Sequence, residues 1–164
     1  MLCRKGEKML RIPIPGRDEL VIENVVFDFN GTLAADGKIK PEVKEMIGRI
    51  RELADVFILT SDTYGSVVNE CRDLGVTVRV LNGSNCSPEK RDFVERLGTG
   101  STICVGNGMN DIDMFDACAL SFIIIGEEGC SARALLKADI AVGNITDALA
   151  MILNPRRITA TLRR

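Results

Sequence analysis

Four short stretches carry residue types that do chemistry together. In the first, Phe27-Asp28-Phe29-Asn30-Gly31-Thr32-Leu33, an apolar run, Val25-Val26-Phe27, reads as a buried strand that ends in a carboxylate, Asp28. In open α/β sheets ligands bind in the crevice beyond the carboxyl ends of the strands. Gly31 permits a tight turn, with peptide N–H groups facing an anion held beside Asp28. A strand, an aspartate and a Gly-Thr turn are what covalent transfer of a phosphoryl group to a carboxylate requires. An aspartate at a strand end also serves simply to cap a turn, so the other three stretches decide between the two. They are Leu59-Thr60-Ser61-Asp62, then Lys90, then Val105-Gly106-Asn107-Gly108-Met109-Asn110-Asp111.

Composition narrows the chemistry. There is no histidine, which excludes Ser-His and Cys-His nucleophile pairs and leaves proton transfer to carboxylates, lysines or water. The six cysteines (Cys3, Cys71, Cys86, Cys104, Cys118 and Cys130) are scattered with no Cys-x-x-Cys pair, so neither a zinc site nor a disulfide framework is expected, and this usage suits a reducing cytoplasm. A net charge of −2 gives no footprint for nucleic acid or an anionic membrane. No apolar stretch is long enough to span a bilayer, and the charged start Met1 to Lys8 has no apolar segment behind it to make a signal peptide.

The elements that must position these residues follow from periodicity. A hairpin is expected over residues 9–23, from Leu10 to Ile14 and from Glu19 to Ile22. The strand carrying Asp28 comes next, then a small hairpin or flap from Thr32 to Ile39 turning at Asp36-Gly37. Apolar residues spaced by three and four after Pro41 predict an amphipathic helix. A strand over Val56 to Leu59 leads to a helix over Tyr64 to Leu74, with Val67, Val68, Cys71 and Leu74 inward and Gly75 as its stop. Val76 to Leu81 is the next strand, and Ser87, as the cap, opens a helix with Pro88 just inside. Thr102 to Val105 delivers the Gly-Asn-Gly loop, Ile112 to Cys118 is a short helix, and Leu120 to Ile125 is a strand. Helices over Ser131 to Lys137 and Ile145 to Leu153 flank a short strand, Asp139 to Val142. Strands alternating with helices predict a parallel sheet in a doubly wound α/β domain. The tail from Arg157 to Arg163 alternates apolar and polar residues, which predicts either a strand on the edge of the N-terminal hairpin or a frayed terminus.

Taken together the four stretches resemble the haloacid-dehalogenase-like superfamily, the phosphatases and phosphotransferases that include the phosphorylation domain of P-type ATPases. Within it they resemble the small group of soluble P-type-ATPase-like proteins, which share Asp-x-Asn-Gly-Thr-Leu and Gly-Asn-Gly. The resemblance covers Asn24 to about Leu153. It implies a three-layer, Rossmann-like fold with a parallel central sheet and no cap domain, expected here as a single domain over 1–164 with its core at about 24–153, the hairpin at 9–23 and the tail at 154–164.

The resemblance also implies roles. Asp28 becomes the nucleophile that forms an aspartyl phosphate. Asn30 stands where the phosphatases have an acid/base aspartate, and an amide cannot transfer that proton. Asp62 and Asp113 are the nearest other carboxylates by sequence. Thr60 and Ser61, with Gly31, Thr32 and Asn110, would hold the phosphoryl group. Lys90, or Arg91 as its neighbour, would neutralise it. Asp28, the carbonyl of Asn30, Asn107 and Asp111 would bind Mg²⁺, with Asn107 again replacing an aspartate and lowering the site's charge. Expected partners are a small phosphorylated substrate or a phosphoprotein, with no nucleic acid and no membrane. Without a cap, a large substrate or a neighbouring subunit of a homo-oligomer closes such a site. The alternative function is a phosphate- or nucleotide-binding regulator that does not turn over.

Overall fold

A computed structural model describes residues 8–61 and 66–164 of the chain. The expectations for Met1 to Glu7, for Asp62 and for the start of the second helix at Tyr64 lie outside the described residues. β1 (Leu10–Ile12) and β2 (Leu20–Ile22) pair antiparallel as a separate two-stranded sheet. Six parallel strands make the main sheet: β3 (Asn24–Asp28), β4 (Asp55–Thr60), β5 (Thr77–Val80), β6 (Thr102–Gly106), β7 (Leu120–Ile124) and β8 (Ile140–Val142), in the order β5-β4-β3-β6-β7-β8. From β3 the chain builds outward first to one side and then, through β6, to the other. The crevice between the ends of β3 and β6 is therefore the switch point where such sheets bind ligands.

Helices cover both faces. α1 (Pro41–Arg51) and α6 (Ile145–Leu153) pack with Val25, Phe27, Ile103, Val105 and Phe122 on one face. α3 (Cys86–Leu97) and α4 (Ile112–Ala117) pack with Val26, Leu59, Cys104 and Ile123 on the other. Alternate residues of β3 thus serve opposite layers, which is why Val25, Val26 and Phe27 are all apolar. α2 (Ser66–Cys71) and α5 (Ala132–Leu135) are short connectors. The flap forms as expected: Asp36 and Gly37 both have positive φ (50° and 75°), and Ala35 and Lys38 exchange backbone hydrogen bonds of 3.2 and 3.1 Å, as a two-residue hairpin turn requires.

Three expectations need correction. α3 starts two residues earlier than expected, with Asn85 rather than Ser87 at the cap; the Asn85 side chain accepts from the Ser87 N–H at 3.4 Å, and Pro88 still sits in the first turn. In α2, Val67 and Cys71 share the buried face four residues apart, while Val68, one position on, is rotated off it and is half exposed. The tail is neither strand nor frayed end: Pro155–Leu162 is a helix, α7, with Ile158 buried and Leu162 packed beside it. Ile158 and Leu162 fit a helical spacing as well as an alternating one, and contact with the hairpin selects the helix. Thr159 Oγ1 donates to the Pro13 carbonyl at 2.7 Å, so the tail does meet the N-terminal hairpin, through a side chain.

Candidate active site

β3 delivers Asp28 and β6 delivers the Gly106 loop to the switch point, and α3 brings a cation between them. Cys86, Lys90 and Val94 are buried at spacings of four along one stripe of α3, so Lys90 occupies a position of the helix that faces the sheet. Its ammonium is fully buried, 2.6 Å from Asp28 Oδ1 and 2.7 Å from Asp111 Oδ1. Arg91, one residue on, is turned to solvent and pairs with Glu95 at 2.8 Å. Packing thus separates two candidates that the sequence left open.

The other oxygen of Asp111 accepts the peptide N–H groups of Asn107 and Gly108, each at 2.9 Å. Asp111 is completely buried and bonded at both oxygens. Gly106 is required by this closeness, because a side chain there would run into the Asp111 carboxylate. Gly31 is required twice, by a φ of 75° and by the Asn107 amide lying where its Cβ would be.

Asp28 Oδ2 has Thr32 Oγ1 at 3.4 Å, and the same hydroxyl is 3.3 Å from Asn107 Oδ1. The Asn107 Nδ2 donates to the Gly129 carbonyl at 3.1 Å, and the Ser131 N–H donates to the Asn107 carbonyl at 2.9 Å. The N–H of Gly31 is spent on the Ala34 carbonyl at 2.9 Å and that of Thr32 on Phe29 at 3.3 Å. These two groups close the turn instead of facing the carboxylate as the sequence suggested. Thr60 is buried at the end of β4, beside the end of β3, and Ser61 beyond it is exposed. Asn110 lies on the short turn before α4, half-buried, and Asn30 is exposed at the mouth.

Burial pushes the Asp28 carboxyl up to about 7; the nearby Asp111 charge adds to this and Lys90 opposes it. For Lys90, burial pulls the other way, but the two carboxylates outweigh it and hold the ammonium above its ordinary value. Lys90 is therefore a fixed positive charge in an apolar setting, where electrostatic interactions are strongest.

Among the described residues no group of three carboxylate, thiol or imidazole side chains is arranged to hold a metal. The oxygen set at the switch point nonetheless suits a hard cation. Asp28 and Asn107 present oxygens to a common point at Thr32, and Asn30 follows Asp28 by two residues in the same loop. Asp28 and Asp111 are the carboxylates beside that set, and each of their oxygens already holds a donor.

Sequence reasoning passed over the loop that follows β7, Gly126 to Ser131, which holds Asn107 in place. Its glutamates sit between two glycines, a pattern with no chemistry of its own, and its contacts are long-range.

No family model matches the chain. It is 30% identical over 131 residues to a soluble P-type ATPase-like phosphatase of Methanocaldococcus jannaschii, covering 78% of this chain and 48% of that one. An uncharacterised protein of the same archaeon is 41% identical over 61 residues, 37% of this chain and 66% of its own length. The chain thus spans about half the first of these curated relatives and about two thirds of the second. Among solved structures it superposes on the cobalt-bound deoxy-D-mannose-octulosonate 8-phosphate phosphatase of Haemophilus influenzae with a TM-score of 0.65 at 15% identity, over 87% of this chain and 94% of that one. The 3-deoxy-D-manno-octulosonate 8-phosphate phosphatase of Moraxella catarrhalis, solved with magnesium, phosphate and KDO, gives 0.64 at 15% identity over 85% and 90%. The shared fold is a capless, Rossmann-like α/β domain with a parallel sheet and an N-terminal hairpin. The chain is thus similar in sequence to a P-type-ATPase-like phosphatase and similar in fold to solved haloacid-dehalogenase-family hydrolases.

Proposed function

We propose that this chain is a Mg²⁺-dependent phosphatase or phosphotransferase that passes a phosphoryl group through Asp28. The buried chain Asp28–Lys90–Asp111 at the switch point is the observation that carries this. A carboxylate oxygen of Asp28 attacks phosphorus; the new O–P bond forms as the bond to the leaving oxygen breaks, and the electron pair departs with that oxygen. Lys90 offsets the negative charge gathered on the phosphoryl oxygens and on Asp28 without having to reorganise. Asp111 positions Lys90 and, through its other oxygen, the Asn107 loop. Thr60, at the buried end of the neighbouring strand, lines the place of the phosphoryl group, with Ser61, Thr32 and Asn110 around it. Asp28, the Asn30 carbonyl, Asn107 and Asp111 would hold the cation, which supplies charge neutralisation at the phosphoryl oxygens when bound.

Proton transfer is the weak step. Neither Asn30 nor Asn107 can accept a proton from water, so hydrolysis of the aspartyl phosphate is slow and the adduct accumulates. A small phosphorylated molecule is the substrate class, supported by the relatives named for a phosphorylated sugar acid. Incubation with acetyl phosphate and Mg²⁺, quenched in acid and read by mass spectrometry, should show one phosphoryl group on the Asp28 peptide and none in Asp28→Ala or with EDTA. Neither adduct nor phosphate release from the wild type would overturn the proposal.

The two amides also favour a second reading, a phosphate-binding regulator without turnover. Its signature is tight binding of beryllofluoride with no adduct and no hydrolysis of any phosphate monoester tried.

A further inference from the structure

The loop after β7, Gly126-Glu127-Glu128-Gly129-Cys130-Ser131, reaches both the flap and the site while containributing no group to the chemistry described above. Toward the flap, Glu127 accepts from Lys40 Nζ at 2.6 Å and Glu128 Oε1 accepts the Asp36 peptide N–H at 3.1 Å. Toward the site, its backbone makes the two bonds to Asn107, at Gly129 and Ser131. Gly126 and Gly129 have φ of 36° and 73°, so the turn that presents both surfaces from so short a loop uses the left-handed backbone available to glycine.

The flap is not packed solid against this loop. A cavity of about 210 Å³ lies between them, bounded by Leu33 to Ala35, Gly126 to Glu128 and the start of α6, with Thr32 in its wall. The base of the flap is held from the opposite side, where Glu70 accepts the Ile39 N–H at 3.2 Å and pairs with Lys44 at 3.0 Å. The tip therefore depends on Glu128, while Glu127 ties Lys40, the residue that follows the flap. Lys40 and Glu127 are 57% and 65% exposed, and ion pairs that open to solvent are individually weak. Such a hold opens easily, as low-stability segments beside binding sites do.

We propose that this loop is a clasp that sets flap and Asn107 together: Glu128 holds the flap tip and Glu127 the end of the flap at Lys40 while the loop backbone holds Asn107, making Glu127 and Glu128 positioning residues for phosphoryl transfer. The proposal rests on the function given above for the positioning and on the geometry alone for the clasp. The measurements are hydrogen exchange of the flap amides and the rate of adduct formation against acetyl phosphate concentration, in the Glu127→Gln/Glu128→Gln double variant. Flap exchange should quicken and the acetyl phosphate KM rise, each by about threefold to tenfold, as expected for loss of two exposed tethers. The urea midpoint should stay at the wild-type value. Lys40→Glu alone should reproduce part of the effect, and Lys40→Glu combined with Glu127→Lys should reverse it, a rescue that loss of packing would not give. Unchanged flap exchange, no rescue by the swapped pair, or faster exchange with unaltered adduct kinetics would each overturn the proposal. If the wild type takes no phosphoryl group at all, the function fails, while the exchange data still decide whether the clasp exists.

Discussion

Two loops meet at the candidate site, and each has an asparagine where the superfamily pattern has an aspartate, yet the two amides are built in differently. Asn30, after β3, is exposed at the mouth. Asn107, after β6, accepts from Thr32, donates to Gly129 and is further held through its own backbone by Asp111 and Ser131. The bond to Gly129 needs an N–H donor, which a carboxylate does not have. Asn30 thus stands exposed where the resemblance implies an acid, whereas Asn107 is a structural tie. On the function proposed, the same replacement removes a proton carrier in one loop and adds a fastening in the other.

Lys90 is the point on which both loops depend, since it bonds Asp28 in one and Asp111 in the other. Lys90→Met should leave two buried carboxylates facing each other and lower unfolding stability by about 3–5 kcal/mol, the usual result of removing one partner of a buried pair. Urea denaturation measures it; a loss under about 1 kcal/mol would mean the loops do not hang on this residue.

Asn30→Asp tests the missing acid. Restoring a carboxylate at the exposed mouth should speed hydrolysis of the aspartyl phosphate by up to ~10²-fold, the low end of what general-base catalysis provides, and reduce the trapped adduct, with little change in stability. Phosphate release that is no faster, measured beside the adduct level, would assign the base elsewhere; Asp113 lies half-buried at the start of α4, and Asp62 lies outside the described residues.

For Asn107→Asp the expected sign is opposite. A carboxylate oxygen would stand against the Gly129 carbonyl, so the metal-free protein should lose about 1–3 kcal/mol, the cost of a buried polar group left without its partner. Added Mg²⁺ should return part of this, because affinity rises with ligand charge. A melting temperature equal to wild type in EDTA would erase the distinction between the two asparagines.

Thr32→Val keeps the shape and removes the hydroxyl shared by Asp28 and Asn107. Both contacts are long, 3.4 and 3.3 Å, and a loss of about 0.5–1.5 kcal/mol is expected. A larger loss, by thermal unfolding, would show that the hydroxyl couples the loops more strongly than its distances imply.

The sequence by itself determined the local parts. Apolar runs fixed the six parallel strands, spacings of three and four fixed α1 and α6, and Asp36-Gly37 fixed the flap turn, because strand, helix and tight turn are governed by neighbours a few residues apart. It also placed Asp28 at a strand end and kept glycines at 31 and 106, where the structure leaves no room for a side chain. What only the tertiary structure decided involves partners far along the chain. Lys90 and Arg91 are adjacent in sequence and about 100° apart around α3, and the packing of that helix on the sheet alone chose which one reaches Asp28, 62 residues away. The tail's alternation pointed to a strand or a frayed end, and it is a helix because the hairpin supplies a surface for Ile158. The fold brought Asp111 an ammonium and two peptide N–H groups, and Asn107 became a fastening only where β7 ends beside it. A buried polar group takes whatever donors and acceptors the fold brings to it, and that set is written in the packing of distant segments rather than in the residues on either side.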